Sequence, residues 1–346
     1  MTGADARPGA VPEPQTGDDP VTSPARALLA DIGGPNTRLA LLEDGVIRDI
    51  RIERTGGNTG LAQTLRAYLD GREIAAAALA VAAPVDTSPI RFTNADWSFT
   101  RDEITDAVGT GNIAIVNDFA AQALALPHLQ AAELVKTGGG EIAPDRPKAV
   151  LGPGTGLGVA ALLPSAGGWR PLTTEAGHMT LAAVNAEEDA LIARLRREYD
   201  HVSAERVLSG HGLTLLYHAL ADLSGEHVPA GPRDAMRGGI TPDRITAAAH
   251  DGSDPLAART IEFFCRFLGT VAADAALAYG ATGGVYIAGG IVPRLGPLFA
   301  SSGFRDRFER KGRFSELLRT VPTFVVTAEY PAFAGLKALT EASDQA

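Results

Sequence analysis

Two short glycine-rich segments, each set between apolar runs, constrain this chain more than any other feature. Asp31-Ile32-Gly33-Gly34-Pro35-Asn36-Thr37-Arg38 follows the apolar run 27–30, and Leu151-Gly152-Pro153-Gly154-Thr155-Gly156-Leu157-Gly158 lies mid-chain. Run 27–31 reads as a buried strand, 38–42 as a second strand and 46–52 as a third, half exposed, with Glu43-Asp44-Gly45 as a hairpin turn. Runs 149–151 and 157–163 read as strands around the second turn. Strand, glycine turn, strand thus occurs once in each half, which is a duplication of architecture rather than of sequence. A chain of 346 residues with 45% hydrophobic content has room for two cores.

The rest of the pattern alternates strands and helices. A helix is expected near 59–70, strands at 76–83 and 113–116, and a helix from 117 to about 126. A Gly- and Pro-rich loop at 137–147 suggests a domain boundary nearby. Helices dominate 186–280, the longest from Pro255 to Tyr279. Strands are expected at 285–288 and 323–327, and a short helix near 332–342. The expectation is an α/β fold with mixed sheets flanked by helices. Residues 1–24 carry five prolines among small and polar residues and read as a disordered tail.

Charge and cysteine content exclude several classes. A net charge of -10 argues against nucleic acid as a routine partner. The single cysteine, Cys265, rules out an internal disulfide or a cysteine-cluster zinc site, and it reads as a small buried hydrophobe. No stretch reaches the length of a membrane span and no secretory leader is evident, so the cytoplasm is the default expectation.

Several groups can carry chemistry. Glycines let backbone N–H groups approach phosphate oxygens, and Asp31 beside Gly33 and Gly34 can hold magnesium through water. Gly152, Gly154, Gly156 and Gly158 alternate strictly around Thr155. They match neither a Walker loop nor a dinucleotide fingerprint, and suit a hairpin whose tip wraps a phosphate. Asn117-Asp118 closes a strand at the sheet's carboxyl edge, where Asp118 can accept a hydroxyl proton during phosphoryl transfer or, with Asn117, cap a helix. Glu175 and His178 offer a carboxylate and an imidazole for sugar hydroxyls, or are a solvated Glu and a loop His. Glu205 either joins them or merely sits in the first turn of a helix capped by Ser203. His201, His211, His218 and His227 show no ligand-like spacing.

Together these segments, over roughly residues 27–340, resemble the bacterial glucokinase family of the actin–hexokinase superfamily. The resemblance is carried by Asp31-x-Gly33-Gly34-x-Asn36-x-Arg38-Leu39-Ala40, Phe92-Thr93-Asn94-x-x-Trp97, Asn117-Asp118-Phe119, and Gly152-x-Gly154-Thr155-Gly156-Leu157-Gly158. Glu175-x-Gly177-His178, the segment 201–210, and Gly283-Gly284-Val285-Tyr286-Ile287-Ala288-Gly289-Gly290 complete it.

The resemblance implies a two-domain actin-like fold with an interdomain cleft. Its small domain would be 25–128 plus 330–344 and its large domain 129–329. It implies ATP and magnesium, glucose as acceptor, entry into glycolysis, and a homodimer. Asp118 would be the general base. Asn117, Glu175, His178, Glu205 and Asn94 would bind the sugar. Asp31, Gly33, Gly34, Asn36, Gly154, Thr155, Gly156, Gly289 and Gly290 would bind the nucleotide, with Asp31 positioning magnesium.

The chain departs from the family at Pro35, where threonine is usual; proline removes a donor and a hydroxyl beside the phosphates. Ala176 in place of glycine, and His211 after Ser209-Gly210, are milder departures. Two other readings stand beside this one. A repressor-family sugar kinase usually carries a zinc-binding cysteine cluster, which one cysteine disfavours. A catalytically weak sugar sensor rests on Pro35 alone.

Overall fold

Apolar runs that alternate with helices must bury their strands between layers, and the topology follows from that requirement. The structure is a computed structural model that describes residues 26–56, 60–92, 97–225 and 240–343. The proline-rich tail and the Asn94 segment lie outside the described residues, as does His227.

The first sheet begins with a three-stranded meander: β1 (Arg26–Ile32), β2 (Asn36–Glu43) and β3 (Val46–Arg54). It continues through β4 (Ala76–Val81). A small two-stranded ribbon, β5 (Ile90–Arg91) with β6 (Ser98–Phe99), precedes β7 (Ile113–Asn117). The order is β3-β2-β1-β4-β7, antiparallel across the meander and parallel from β1 to β7. Every residue of β4 is buried, as expected of a central parallel strand.

The second sheet holds β8 (Leu134–Gly138), β9 (Lys148–Pro153), β10 (Leu157–Ser165), β11 (Gly168–Thr174), β12 (Val285–Ile287) and β13 (Thr323–Val326). Its order, β11-β10-β9-β12-β13-β8, repeats the first sheet's plan and adds one antiparallel edge strand.

Helices α1 (Leu61–Leu69) and α2 (Arg101–Val108) cover one face of the first sheet. Thr100 and Glu103 start α2 with a reciprocal capping box. Helix α3 (Asp118–Ala125) leaves β7. The helical stretch that follows holds α4 (Ala186–Leu195), α5 (Ala204–Val207), α6 (Gly210–Ser224), α7 (Pro242–Asp251) and α8 (Pro255–Tyr279). Helix α8 starts at Asp254, whose side chain accepts the Leu256 N–H, with Pro255 at its first position. It stops at Gly280 in the left-handed conformation. Short helices α9 (Ile291–Leu295), α10 (Pro297–Ala300), α11 (Phe304–Glu309) and α12 (Ser315–Thr320) lead to β13. Helix α13 (Pro331–Ser343) returns to pack on α3 and on β1 and β4. It buries Phe333 and Leu336 there, each contributing roughly 1.5–3 kcal/mol. Cys265 lies fully buried in α8.

Two expectations are corrected. Strand β3 is exposed along nearly its whole length rather than on one face, with Val46, Ile50 and Ile52 all about half exposed. Its apolar and charged residues largely alternate, but it is the sheet edge, and among the described residues only the packing of Ile47 on one side and the Tyr68 ring beside Arg51 give it partial cover. The loop at 137–147 begins inside a strand: Thr137 and Gly138 belong to β8, and the Thr137 hydroxyl bonds the β13 residue Thr323 at 2.8 Å. Glycine at the end of an edge strand reads as loop from sequence.

Candidate active site

The carboxyl ends of parallel strands are where open α/β sheets bind ligands. Here β1 and β7 end against the β9–β10 hairpin and the β12 end. The walls enclose a cleft of about 600 Å³. Asp31, Gly33, Gly34, Asn117, Asp118, Gly154, Thr155, Gly156, Glu175, His178, Glu205, Gly289 and Gly290 all line it. Asn36 is not among its lining residues; it opens β2, and its backbone carbonyl accepts the Gly33 N–H at 3.0 Å.

Asp31 sits one residue before the end of β1, paired in register with Arg38 of β2. The Arg38 Nη1 donates to Asp31 Oδ2 at 2.8 Å. Burial pushes the Asp31 carboxyl above the usual range, while Arg38 pulls it back by charge and by that hydrogen bond. The second carboxylate oxygen remains available to a hydrated cation. Magnesium keeps several waters and needs only one or two carboxylates plus phosphate oxygens, so this donor set fits it.

Asn117 ends β7 and caps α3: its Oδ1 accepts the N–H groups of Phe119 at 2.9 Å and Ala120 at 3.4 Å. The capping expectation therefore falls on Asn117, which still has its amide Nδ2 to donate. Asp118 is the first helical residue, and its Oδ1 accepts the Phe119 N–H at 3.0 Å. Asp118 lines the cleft. Burial pushes the Asp118 carboxyl up to about 7, and the negative charges of Asp31 and Glu175 add to that against the backbone hydrogen bonds. A carboxylate that titrates near neutral pH is tuned as a proton acceptor.

The strict glycine alternation has a cause that the sequence reading missed. Gly152 of β9 and Gly158 of β10 face each other in the ladder. A Cβ on Gly158 would stand 1.9 Å from the Phe119 ring, and one on Gly152 would stand 2.4 Å from it. Phe119, next to the candidate base, wedges into the hairpin. Only Gly154, at the tip, has open space around it. The one available signal was the pair of glycines flanking the tip, which demand a bulky neighbour as readily as a ligand. Arg38 is a second residue whose part is not evident from the motif: pairing across the short turn puts it opposite Asp31.

Glu175 and His178 flank a short 3₁₀ turn and are both exposed in the cleft. Ser203 caps α5 through the Arg206 N–H at 3.2 Å, so Glu205 does sit in a first turn. It also does more: its Oε2 accepts the Leu157 N–H at 2.9 Å, and its Oε1 lies 3.8 Å from His178 Nε2. His201 lies away from this set, its Nε2 3.0 Å from the Thr180 hydroxyl.

A model of the glucokinase family matches residues 28–343. A glucokinase of Paramagnetospirillum magneticum is 46% identical over 318 residues, covering 90% of this chain and 96% of that protein. A bifunctional protein glk of Paraburkholderia xenovorans is 43% identical over 316 residues; the match covers 90% of this chain but only 48% of that protein, so the chain spans about half of such bifunctional relatives. The crystal structure of a glucokinase from an Antarctic psychrotroph superposes with a TM-score of 0.80 at 34% identity, covering 91% of this chain and 98% of that one. The fold is the hexokinase-type actin-like fold of those neighbours, and the chain belongs to the glucokinase family.

Proposed function

We propose that the chain is an ATP-dependent glucokinase that transfers the γ-phosphoryl group of Mg-ATP to the 6-hydroxyl of glucose. The carrying observation is Asp118: a carboxylate at the end of β7, in one cleft with both glycine turns, and pushed up to about 7. As the hydroxyl oxygen bonds to the γ-phosphorus, the bond to the leaving ADP oxygen breaks and the hydroxyl proton passes to Asp118. Asp118 Oδ1 is held by the Phe119 N–H, which leaves Oδ2 to take that proton. Glu175, His178, Glu205 and the free amide of Asn117 would orient the sugar. The turns at 33–34 and 154–156 would cradle the phosphates through the N–H groups of Gly34, Thr155 and Gly156, since those of Gly33 and Gly154 already donate to the Asn36 and Gly156 carbonyls, and Gly289 and Gly290 would lie against the adenosine. Magnesium, held through water by Asp31, would neutralise phosphate charge when bound.

The packing favours a small unit of 25–128 plus 330–344, since α13 returns to the first sheet, and a large unit of 129–329. Closure of the two over glucose would exclude water from the phosphoryl group. The reading carries with it a homodimer in the cytoplasm that feeds glycolysis. Among the described residues no helix is long and apolar enough to cross a membrane.

The test is ADP release with Mg-ATP and glucose, run beside Asp118→Ala. Turnover should depend on glucose and fall about 10²- to 10⁴-fold in the variant. Glucose binding without ADP formation in the parent would instead support the sensor reading, and would make Pro35 the first residue to revert.

A further inference from the structure

The tip of the β9–β10 hairpin has almost no side chains with which to hold itself. Its residues run Gly152-Pro153-Gly154-Thr155-Gly156, and Thr155 is exposed. Glycine-rich backbone loses the most freedom on ordering, so a tip of this kind needs an outside anchor. The anchor comes from the loop that opens α5 and α6. The Gly210 N–H donates to the Gly154 carbonyl at 2.9 Å. The Glu205 Oε2 accepts the Leu157 N–H at 2.9 Å. Among the described residues, Glu205 is the one side chain hydrogen-bonded to the backbone of residues 152–158. Gly156 fits this contact, because a Cβ there would stand 2.4 Å from that same oxygen.

We infer that Glu205 is a positioning residue for the nucleotide, not a sugar contact alone. The inference rests on the reading above, in which the hairpin tip faces phosphate. One carboxylate then serves two substrates. Oε1 looks toward His178 and the sugar side of the cleft, and Oε2 fixes the strand that leaves the phosphate turn. A carboxylate accepting a backbone N–H makes a charge-assisted bond, stronger than a neutral pair. Glutamine keeps an acceptor oxygen at the same reach, whereas alanine removes it. Glu175 is the matching control. It is a carboxylate in the same cleft, with no hydrogen bond from its side chain to the hairpin among the described residues.

The experiment titrates the protein with Mg-AMPPNP by calorimetry, without glucose, and follows amide hydrogen exchange of 152–158. The parent is compared with Glu205→Ala, Glu205→Gln and Glu175→Ala. Glu205→Ala should weaken AMPPNP about tenfold and speed exchange at Leu157. Glu205→Gln should stay within about threefold of the parent for AMPPNP, and Glu175→Ala should leave nucleotide affinity and exchange unchanged. AMPPNP affinity within about twofold of the parent in Glu205→Ala, or unchanged exchange at Leu157, overturns the inference. A parent that binds AMPPNP in this Glu205-dependent way but forms no ADP with glucose would sink the kinase reading and leave the anchor standing. A parent that takes up no AMPPNP overturns both.

Discussion

The β1–β2 and β9–β10 hairpins occupy the same place in two sheets of the same plan, yet they are built from opposite materials. One step in from the turn, the first pairs Asp31 with Arg38, and the second pairs Gly152 with Gly158. The first hairpin places a partly buried charge pair at the cleft, 2.8 Å apart. The second places bare backbone there and fills the missing side-chain volume with the Phe119 ring. A repeated topology thus sets two turns on one cleft, and the residues decide what each turn can offer. One supplies charge, and the other supplies close approach of N–H groups. Phe119 ties the second to the helix that carries Asp118.

If that division holds, the two hairpins should fail in different ways. Asp31→Asn should lower kcat with Mg-ATP about 100-fold or more, since it removes the charge that on the proposed reading would hold the cation, while the melting temperature moves little. A comparable loss of melting temperature would mean that Asp31 is a structural residue. Gly158→Ala should do the reverse. It forces a methyl group into the Phe119 ring and should cost about 1–3 kcal/mol of unfolding free energy, partly recovered in combination with Phe119→Leu. Additive losses in that double-mutant cycle would show that the ring and the glycines are not in contact.

The smallest effect sharpens the comparison within the first turn. Pro35 lines the cleft and presents no N–H; its carbonyl is already engaged by the Thr55 N–H at 3.1 Å. Restoring a donor and a hydroxyl with Pro35→Thr should raise kcat/KM for ATP by up to about tenfold, matching one charge-assisted hydrogen bond of roughly 1.5–3 kcal/mol in part. Unchanged kcat and KM would show that the turn never offered that donor to phosphate.

Buried elements were legible in the sequence because burial writes a pattern. The all-apolar runs of β1, β4 and β12, and the capped helix α8, stand close to where the residues predict them. Elements at edges were not. Strand β11 carries Pro171 and mostly exposed residues, and α2 is short and polar, so neither has a periodicity to read. The site divided in the same way. Motif spacing brought Asp31, Asp118, Glu175, His178 and Glu205 to attention, and the fold brings them to one cleft. What spacing does not encode is contact across elements: the Phe119 wedge and the Glu205 bond to Leu157 join residues 33 or more positions apart. Glycine alternation reads from sequence as a hairpin tip wrapped on a phosphate, which leaves out the Phe119 ring that fills the space beside it.

The account depends most on Asp118 as a base held near neutrality. Its carboxyl is raised from 3.8 to about 7, so the protonated, inactive form gains population as pH falls through about 7. The direct measurement is kcat/KM for glucose, with saturating Mg-ATP, across pH 5.5–8.5 or so. The account predicts a plateau at high pH and a fall approaching tenfold per unit below about 7, governed by one proton. A flat profile, or a midpoint below about pH 5, would contradict it, because an ordinary solvated carboxylate titrates there.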